Sequence, residues 1–445
     1  MAITIQEKPY NITRVGQKLI VRATSTNVAN DGFKFVFRVT DVNSVAQDFF
    51  VSPNPANQGI FDLRVVAQGL MSVDVNNDVL KTDVVFVSDN ETRCPLYQYN
   101  LTVLEAWLVD DVLTIDEESG VDIQSQNLIP CSYSVMNGYR PNPQNDYGFA
   151  NFTTSPQQSK SLMLTDRTPN THKLPTDLPL INIFDRSTIV PIPVRKSELD
   201  WGTLQVITEE SAEFTSAANL WCRWLLIKSN LDSEVYSEQL TPEGLTHLPA
   251  YPANLNEGGL GDVVPADNPN WLYYTIQLFN QNPSNVVGLE AMSALYVFYP
   301  VPDNCVNQNV RMCWWSQFKG GFDFFNFSLT NEESVSVERK RYKKIVGNYA
   351  GAASGFTFNT SDRGLTETDV SPITTLEINS DWIQEGEFEL LRGLVQSKYV
   401  WIMDDNGNMT AVVVDDNSFL IERKRDGKLK RAKMKLRYAN EIIAF

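Results

Sequence analysis

The stretch CWWSQFKGGFDFFNFSLT, Cys313–Thr330, decides how the chain is read. It sets aromatic residues on both sides of a Lys-Gly-Gly and carries almost no charge. Three uses are open to it: lining a ligand pocket, entering a membrane, or joining two strands of a sheet that another chain covers. NVRMCWWSQF and GFDFFNFSLT read as two strand arms, with Gly320-Gly321 supplying the positive φ angles of a tight hairpin turn. Phe325, Phe327 and Leu329 alternate onto one face while Phe322 and Phe324 fall on the other, which predicts a bulge or burial on both sides. Arg311, Lys319 and Asp323 interrupt the segment, and it is too short to span a bilayer. A pocket needs converging polar groups, and few are present. The expectation is a hairpin packed on its own sheet, open to extension by a neighbouring subunit.

The same rhythm runs through the rest of the chain. FKFVFRVTDV places Phe33, Phe35 and Phe37 on one face and Lys34 and Arg38 on the other, the period-two pattern of a half-buried strand. KLIVRATS, DVVFVSD and YNLTVLEAWLV continue it, and Ile60, Phe61 and Leu63 are expected to enter the core. ANLWCRWLLIKSN is a strong apolar run, and WLYYTIQLFN with ALYVFYPV reads as paired strands. TPEGLTHLPAYPANLNEGGLGDVVPADNPN reads as one long loop, of the kind that is functional or meets a partner. One helix is evident, DWIQEGEFELLRGLVQS. Asp381 and Gln384 stand at capping-box spacing, and Phe388, Leu391, Leu394 and Val395 lie on one side. KYVWIMDDNGNMTAVVV and SFLIERKRDGKLKRAKMKLRYA read as hairpins with Asn-Gly and Asp-Gly turns.

The predicted fold is mainly β: consecutive Ig-like or jelly-roll-like β-sandwich domains with one substantial helix in the last. Residues 1–160 form an N-terminal β-sandwich, 161–304 a middle β-rich domain with the long Pro/Gly loop, and 305–445 a C-terminal β domain with the helix and a basic closing strand. At 445 residues, 42% of them hydrophobic, the chain is long enough for this. No stretch of about 18 apolar residues marks a transmembrane helix, and the start lacks the basic and apolar regions of a signal peptide. The five cysteines are scattered without a CxxC, which suits reduced, buried thiols.

Chemistry finds little footing. His172 and His247 are the only histidines, both in Pro-rich segments without a GxSxG motif. Phosphate-binding, dinucleotide and zinc motifs are missing. DDVLTIDEESG is the densest acidic cluster, and a solvated turn is its ordinary use. DDNGN resembles a calcium loop only faintly, because Gly407 stands at the wrong offset and strands flank it. No catalytic residue, metal ligand, cofactor or small-molecule substrate is therefore assigned, and the expectation is a non-enzymatic protein.

Charge is more informative. The net charge is −17, against the basic balance usual in nucleic-acid binders. Yet RKRYKK (339–344) and RKRDGKLKRAKMKLR (423–437) hold fourteen of the 37 basic residues. In the closing strand Arg431, Lys433, Lys435 and Arg437 alternate with Ala432, Met434, Leu436 and Tyr438. The basic side is either a solvated outer face or an interface that meets an acidic neighbour or channel DNA.

Several segments resemble virion structural proteins of tailed phages infecting Bacteroidetes, crAss-like phages among them. They are PYNITRVGQKLIVRATSTNVANDGFKFVFRV with SPNPANQGIFDLRVVAQGLM, SLMLTDRTPNTHKL, RMCWWSQFKGGFDFFNFSL with VERKRYKKIVGNY, and DWIQEGEFELLRGLVQSKYVWIMDDNGNMTAVVVDDNSF. The acidic insert around DDVLTIDEESGVDIQ departs from that pattern. The resemblance implies a tail or neck ring or hub subunit, made in a host cytoplasm and placed in the virion. It would assemble with its own copies and with tail, neck or portal-proximal proteins, through sheet edges and complementary charge. It carries over no catalytic residues. A tail-surface carbohydrate-binding adhesin or depolymerase and a head decoration protein are the other readings.

Overall fold

The computed structural model describes residues 3–129, 163–167, 191–256, 271–301, 309–349 and 356–440, apart from short stretches inside these ranges. Of the described residues 61% are strand and 7% helix, so the protein is mainly β, as predicted. The Pro/Asn-rich NGYRPNPQNDYG, His172 and the Asp-Gly turn at 426–427 lie outside the described residues.

The first unit contains β1 (Ile3–Glu7), β2 (Ile12–Arg14), β3 (Ile20–Ser25), β4 (Lys34–Asp41), β5 (Ala46–Val51), β6 (Gln58–Asp62), β7 (Phe86–Ser88), β8 (Tyr97–Val109) and β9 (Val112–Ile129). A three-stranded sheet, β1-β3-β6, faces a five-stranded sheet, β2-β9-β8-β4-β5. Phe33, Phe35 and Phe37 point into the space between them and meet Val21, Ala23 and Phe61 of the smaller sheet. The Phe37 and Phe61 rings stack at 5.0 Å. Ile60 departs from the expectation. It is 45% exposed, because alternation along β6 turns it outward while Phe61 turns in.

Strand β7, inside residues 1–160 by position, pairs instead with the middle unit. That unit adds β10 (Ile192–Arg195), β11 (Thr203–Glu209), β12 (Trp221–Lys228), β13 (Ser233–Gln239), β14 (Glu243–Pro249), α1 (Pro252–Asn256), β15 (Trp271–Phe279) and β16 (Tyr296–Val301). A five-stranded sheet, β10-β16-β15-β12-β13, faces β11-β14-β7 across the largest core. β15 and β16 pair antiparallel as expected. The long loop does not hold over its described part. Residues 243–256 form β14 and α1, with Leu245, Thr246, His247 and Leu248 all buried. Burial on both faces removes the polar-apolar alternation that marks a strand, and the flanking prolines then dominate the reading.

The last unit holds β17 (Val310–Trp315), β18 (Phe322–Phe327), β19 (Glu332–Lys343), β20 (Asn348–Tyr349), β21 (Phe356–Thr357), β22 (Leu365–Asn379), α2 (Glu385–Gln396), β23 (Val400–Met403), β24 (Met409–Val414), β25 (Glu422–Arg423), β26 (Lys430–Arg431) and β27 (Lys433–Tyr438). One seven-stranded sheet, β18-β17-β23-β24-β27-β22-β19, dominates it, and α2 packs Leu390, Leu391 and Leu394 on one side. The helix begins four residues after Asp381, so Asp381 is not its cap. Ser380 is still tied to Ala432 there, N–H to carbonyl at 2.9 Å, and Ile383 is buried, so the chain stays extended before it coils. The side chain of Phe388 lies outside the described residues.

The opening hairpin is β17–β18, in continuous register and buried on both sides. Met312, Trp314, Phe325 and Phe327 pack with α2, while Cys313, Trp315, Phe322 and Phe324 join the core of the middle unit. Two-sided burial, not a bulge, explains the two aromatic faces. Of the two turn glycines only Gly320 has a positive φ, 76°. Gly321 is needed for another reason: a Cβ there would lie 1.9 Å from the Leu164 carbonyl oxygen.

Candidate interaction surfaces

Aromatic packing alone does not join the middle and last units. Arg311, 1% exposed, reaches from β17 to the Trp201 carbonyl through Nε at 2.9 Å and donates to Asn326 Oδ1 at 3.0 Å. Its guanidinium lies 4.3 Å from the Tyr251 ring centroid. Asp200 is fully buried beside it. Its carboxylate accepts from the Arg195 backbone N–H (2.8 Å), Arg195 Nε (2.6 Å) and Asn326 Nδ2 (2.7 Å), with Arg311 Nη1 at 3.6 Å. Burial pushes this carboxyl up, and the charges of Arg311 and Arg195 more than offset it, so its pKa falls below the usual range. Arg195 also reaches Asp405 in the β23–β24 turn at 2.8 Å. The arrangement is a satisfied ionic joint that fixes the two units to each other.

The basic closing strand has the expected alternation. Ala432, Met434 and Leu436 are buried, and Lys433 and Lys435 are exposed. It does not present four charges on one sheet. Arg431 belongs to β26, whose partner is β25, while Lys433, Lys435 and Arg437 stand on β27. Two of these charges also meet acids of the same unit, and the other two have partners as well. Lys433 pairs with Glu377, Arg437 with Asp415 at 3.3 Å, and Arg431 and Lys435 are engaged too.

The larger free surface is one that composition hid. β19 and β22 form a long antiparallel hairpin, and β27 pairs with β22 only over Thr375–Asn379. Val335–Lys343 and Leu365–Thr374 therefore project as a two-stranded arm about 30 Å long at 3.3 Å per residue. Every residue of β19 is exposed. Val335, Val337 and Val370 are 60%, 42% and 47% exposed and, with Pro372, share one face. Arg339 and Arg341 pair with Glu367, and Lys340 with Asp369. The RKRYKK run thus lies on this arm. The visible sequence signal is the Ser-Val-Ser-Val alternation before it, which a strand reading would have caught.

The residues weighed for chemistry are mostly occupied by structure. His247 is buried, and burial lowers its pKa to about 3, which keeps it neutral. Cys222 and Cys313 are buried free thiols whose pKa burial pushes up. Asp404 accepts from the backbone N–H groups of Asn406 (2.9 Å) and Asn408 (2.7 Å), so its oxygens shape the turn. Among the described residues no group of three His, Cys, Asp or Glu side chains is placed to hold a metal. In the acidic cluster, Glu117 binds Arg38, which lowers its pKa, and Asp116 accepts from the Glu118 N–H. Asp110 and Asp111 stay exposed in the β8–β9 turn, between the exposed Val109 and Val112, and Glu118 stays exposed farther along β9. Among the described residues no helix is long and apolar enough to cross a membrane.

No family model matches the chain, and no curated protein matches it. Among solved structures it is similar to one described as "Crystal structure of tetra-tandem repeat in extending region of large adhesion protein". That match covers 97% of this chain and 87% of the other at 8% identity, with a TM-score of 0.18. A likeness that slight carries no argument.

Proposed function

We propose that the chain is a structural, non-enzymatic subunit of a tailed-phage virion, a tail or neck ring or hub component that assembles through sheet edges and complementary charge. The observation that carries the reading is the β19–β22 arm, a long exposed hairpin with an apolar face, projecting from a body whose middle and last units share a core and an ionic joint. A joined body with a projecting strand pair suits a subunit that is held by its neighbours. The resemblance of the N-terminal, hairpin and helix segments to virion proteins of phages infecting Bacteroidetes supports the same role.

Immunogold labelling of purified particles tests it. Label at the tail or neck is the expected result. Label over the capsid would favour head decoration instead. Glycan-array binding with release of reducing sugar would favour a tail-surface adhesin or depolymerase. Either of the last two outcomes contradicts the ring or hub role.

A further inference from the structure

We propose that the β19–β22 arm docks on the acidic β8–β9 hairpin of a second copy of this chain, head to tail; the inference rests on the reading of the chain as an assembling subunit. Four observations lead to it.

The arm lacks support from its own sheet. From Thr374 outward, β22 has only β19 beside it, and an isolated two-stranded hairpin is at best marginally stable in water. Its apolar face is also uncovered. Leu376 and Ile378 on β22 pack into the core under α2, and the same face runs outward through Pro372 and Val370, with Val337 and Val335 alongside, into solvent.

Charge then selects the occupant. From residue 335 to 374 the sequence has six basic residues (Arg339, Lys340, Arg341, Lys343, Lys344, Arg363) and four acidic ones (Glu338, Asp362, Glu367, Asp369), with the bases gathered toward the outer end of β19. That net of +2 sits in a chain of −17, so everything outside it sums to −19. Like charge opposes pairing of one arm with another, as basic residues on edge strands commonly do, and favours the acidic body of a neighbour.

The matching surface is on the first unit. Asp110 and Asp111 are exposed there, between Val109 and Val112, 46% and 64% exposed, and Glu118 is exposed farther along β9. Valines beside acids would meet an apolar strip that ends at Arg339, opposite Val370, and leads to the basic outer end of the arm. Donor and acceptor lie on different units of the chain, so the contact is heterologous and repeats from copy to copy, closing into a ring if the rotation allows.

The test uses purified full-length protein and light scattering after size exclusion. One variant reverses the arm (Lys340→Glu, Lys343→Glu, Lys344→Glu). The other alters the acceptor (Glu118→Lys, Asp110→Asn, Asp111→Asn), with Asn chosen because both turn positions have positive φ, 51° and 61°. Wild type is expected to associate, more weakly as salt rises. Each variant alone should lose at least tenfold in association, and an equimolar mixture of the two should regain it. The inference is overturned if wild type is monomeric at the highest concentration reached, if either variant associates as wild type does, or if the mixture is no better than its parts. Arm-dependent binding of duplex DNA or of another particle protein by a monomeric chain would also overturn it. A monomer that immunogold still places at the tail or neck refutes this contact while leaving the virion role standing.

Discussion

Replacing Arg311 by Met should weaken the joint between the middle and last units more than any other single polar change. Met keeps much of the side-chain volume over Tyr251 but removes the charge and the donors. Three losses follow. The Trp201 carbonyl loses its Arg311 donors, Asn326 Oδ1 loses one, and Asp200, fully buried, loses one of its two positive neighbours. Breaking a buried pair this way costs about 3–5 kcal/mol. Arg195 still holds Asp200 through Nε at 2.6 Å, so the lower end applies, about 3 kcal/mol. Asp200→Asn in the wild-type background leaves Arg195 and Arg311 facing each other, and is costly for the mirror reason. In the Arg311→Met background it should cost less. The double-mutant cycle should therefore show a coupling of about 1–3 kcal/mol. Chemical denaturation followed by tryptophan fluorescence reads all four proteins. A single-variant cost under about 1 kcal/mol, or additivity within about 0.5 kcal/mol, would refute the joint.

Other outcomes follow from the same geometry. Gly321→Ala should destabilise by about 1–3 kcal/mol, because the new Cβ meets the Leu164 backbone, which cannot swing aside as a side chain can; an unchanged denaturation midpoint would contradict that close approach. His247 is neutral in the fold with a pKa of about 3, and charges below its ordinary 6.5 once unfolded. The unfolded chain then binds more protons, so stability should fall as pH drops below about 6.5, by up to about 1.4 kcal/mol per unit. His247→Gln should flatten that slope between about pH 6.5 and 5, and a slope that survives would place its origin elsewhere. Replacing 335–374 by a short turn should shift the body's stability by no more than about 0.5 kcal/mol, since β19 is exposed throughout; calorimetry showing a large loss would mean the arm belongs to the folded body.

The sequence was most legible where burial is one-sided or where apolar residues alternate without a break. Phe33, Phe35 and Phe37 announce β4, and the two aromatic faces of Cys313–Phe327 announce a hairpin held from both sides. β14 was hidden because Leu245 to Leu248 are buried in succession between prolines, which resembles a loop. Asp381 and Gln384 have cap spacing, yet the Ser380 bonds to Ala432 hold the chain there and α2 starts only at Glu385. The arm is hidden for the opposite cause. With both faces in water, RKRYKK showed only as a charge run, and the strand under it becomes visible through its partner, Leu365–Asn379, far along the chain. The ionic joint joins Arg195, Asp200 and Arg311 across more than a hundred residues, which no local pattern encodes.

Carbodiimide cross-linking of purified particles tests the central claim most directly, because it joins lysine to carboxylate without a spacer. The account predicts that this chain is present in the particles, that it forms cross-linked bands at multiples of its own mass, and that those bands contain Lys343 or Lys344 of the arm joined to Asp110, Asp111 or Glu118. Absence of the chain from the particles would contradict the virion role. Arm lysines joined only to other proteins would contradict assembly of this subunit through its own arm.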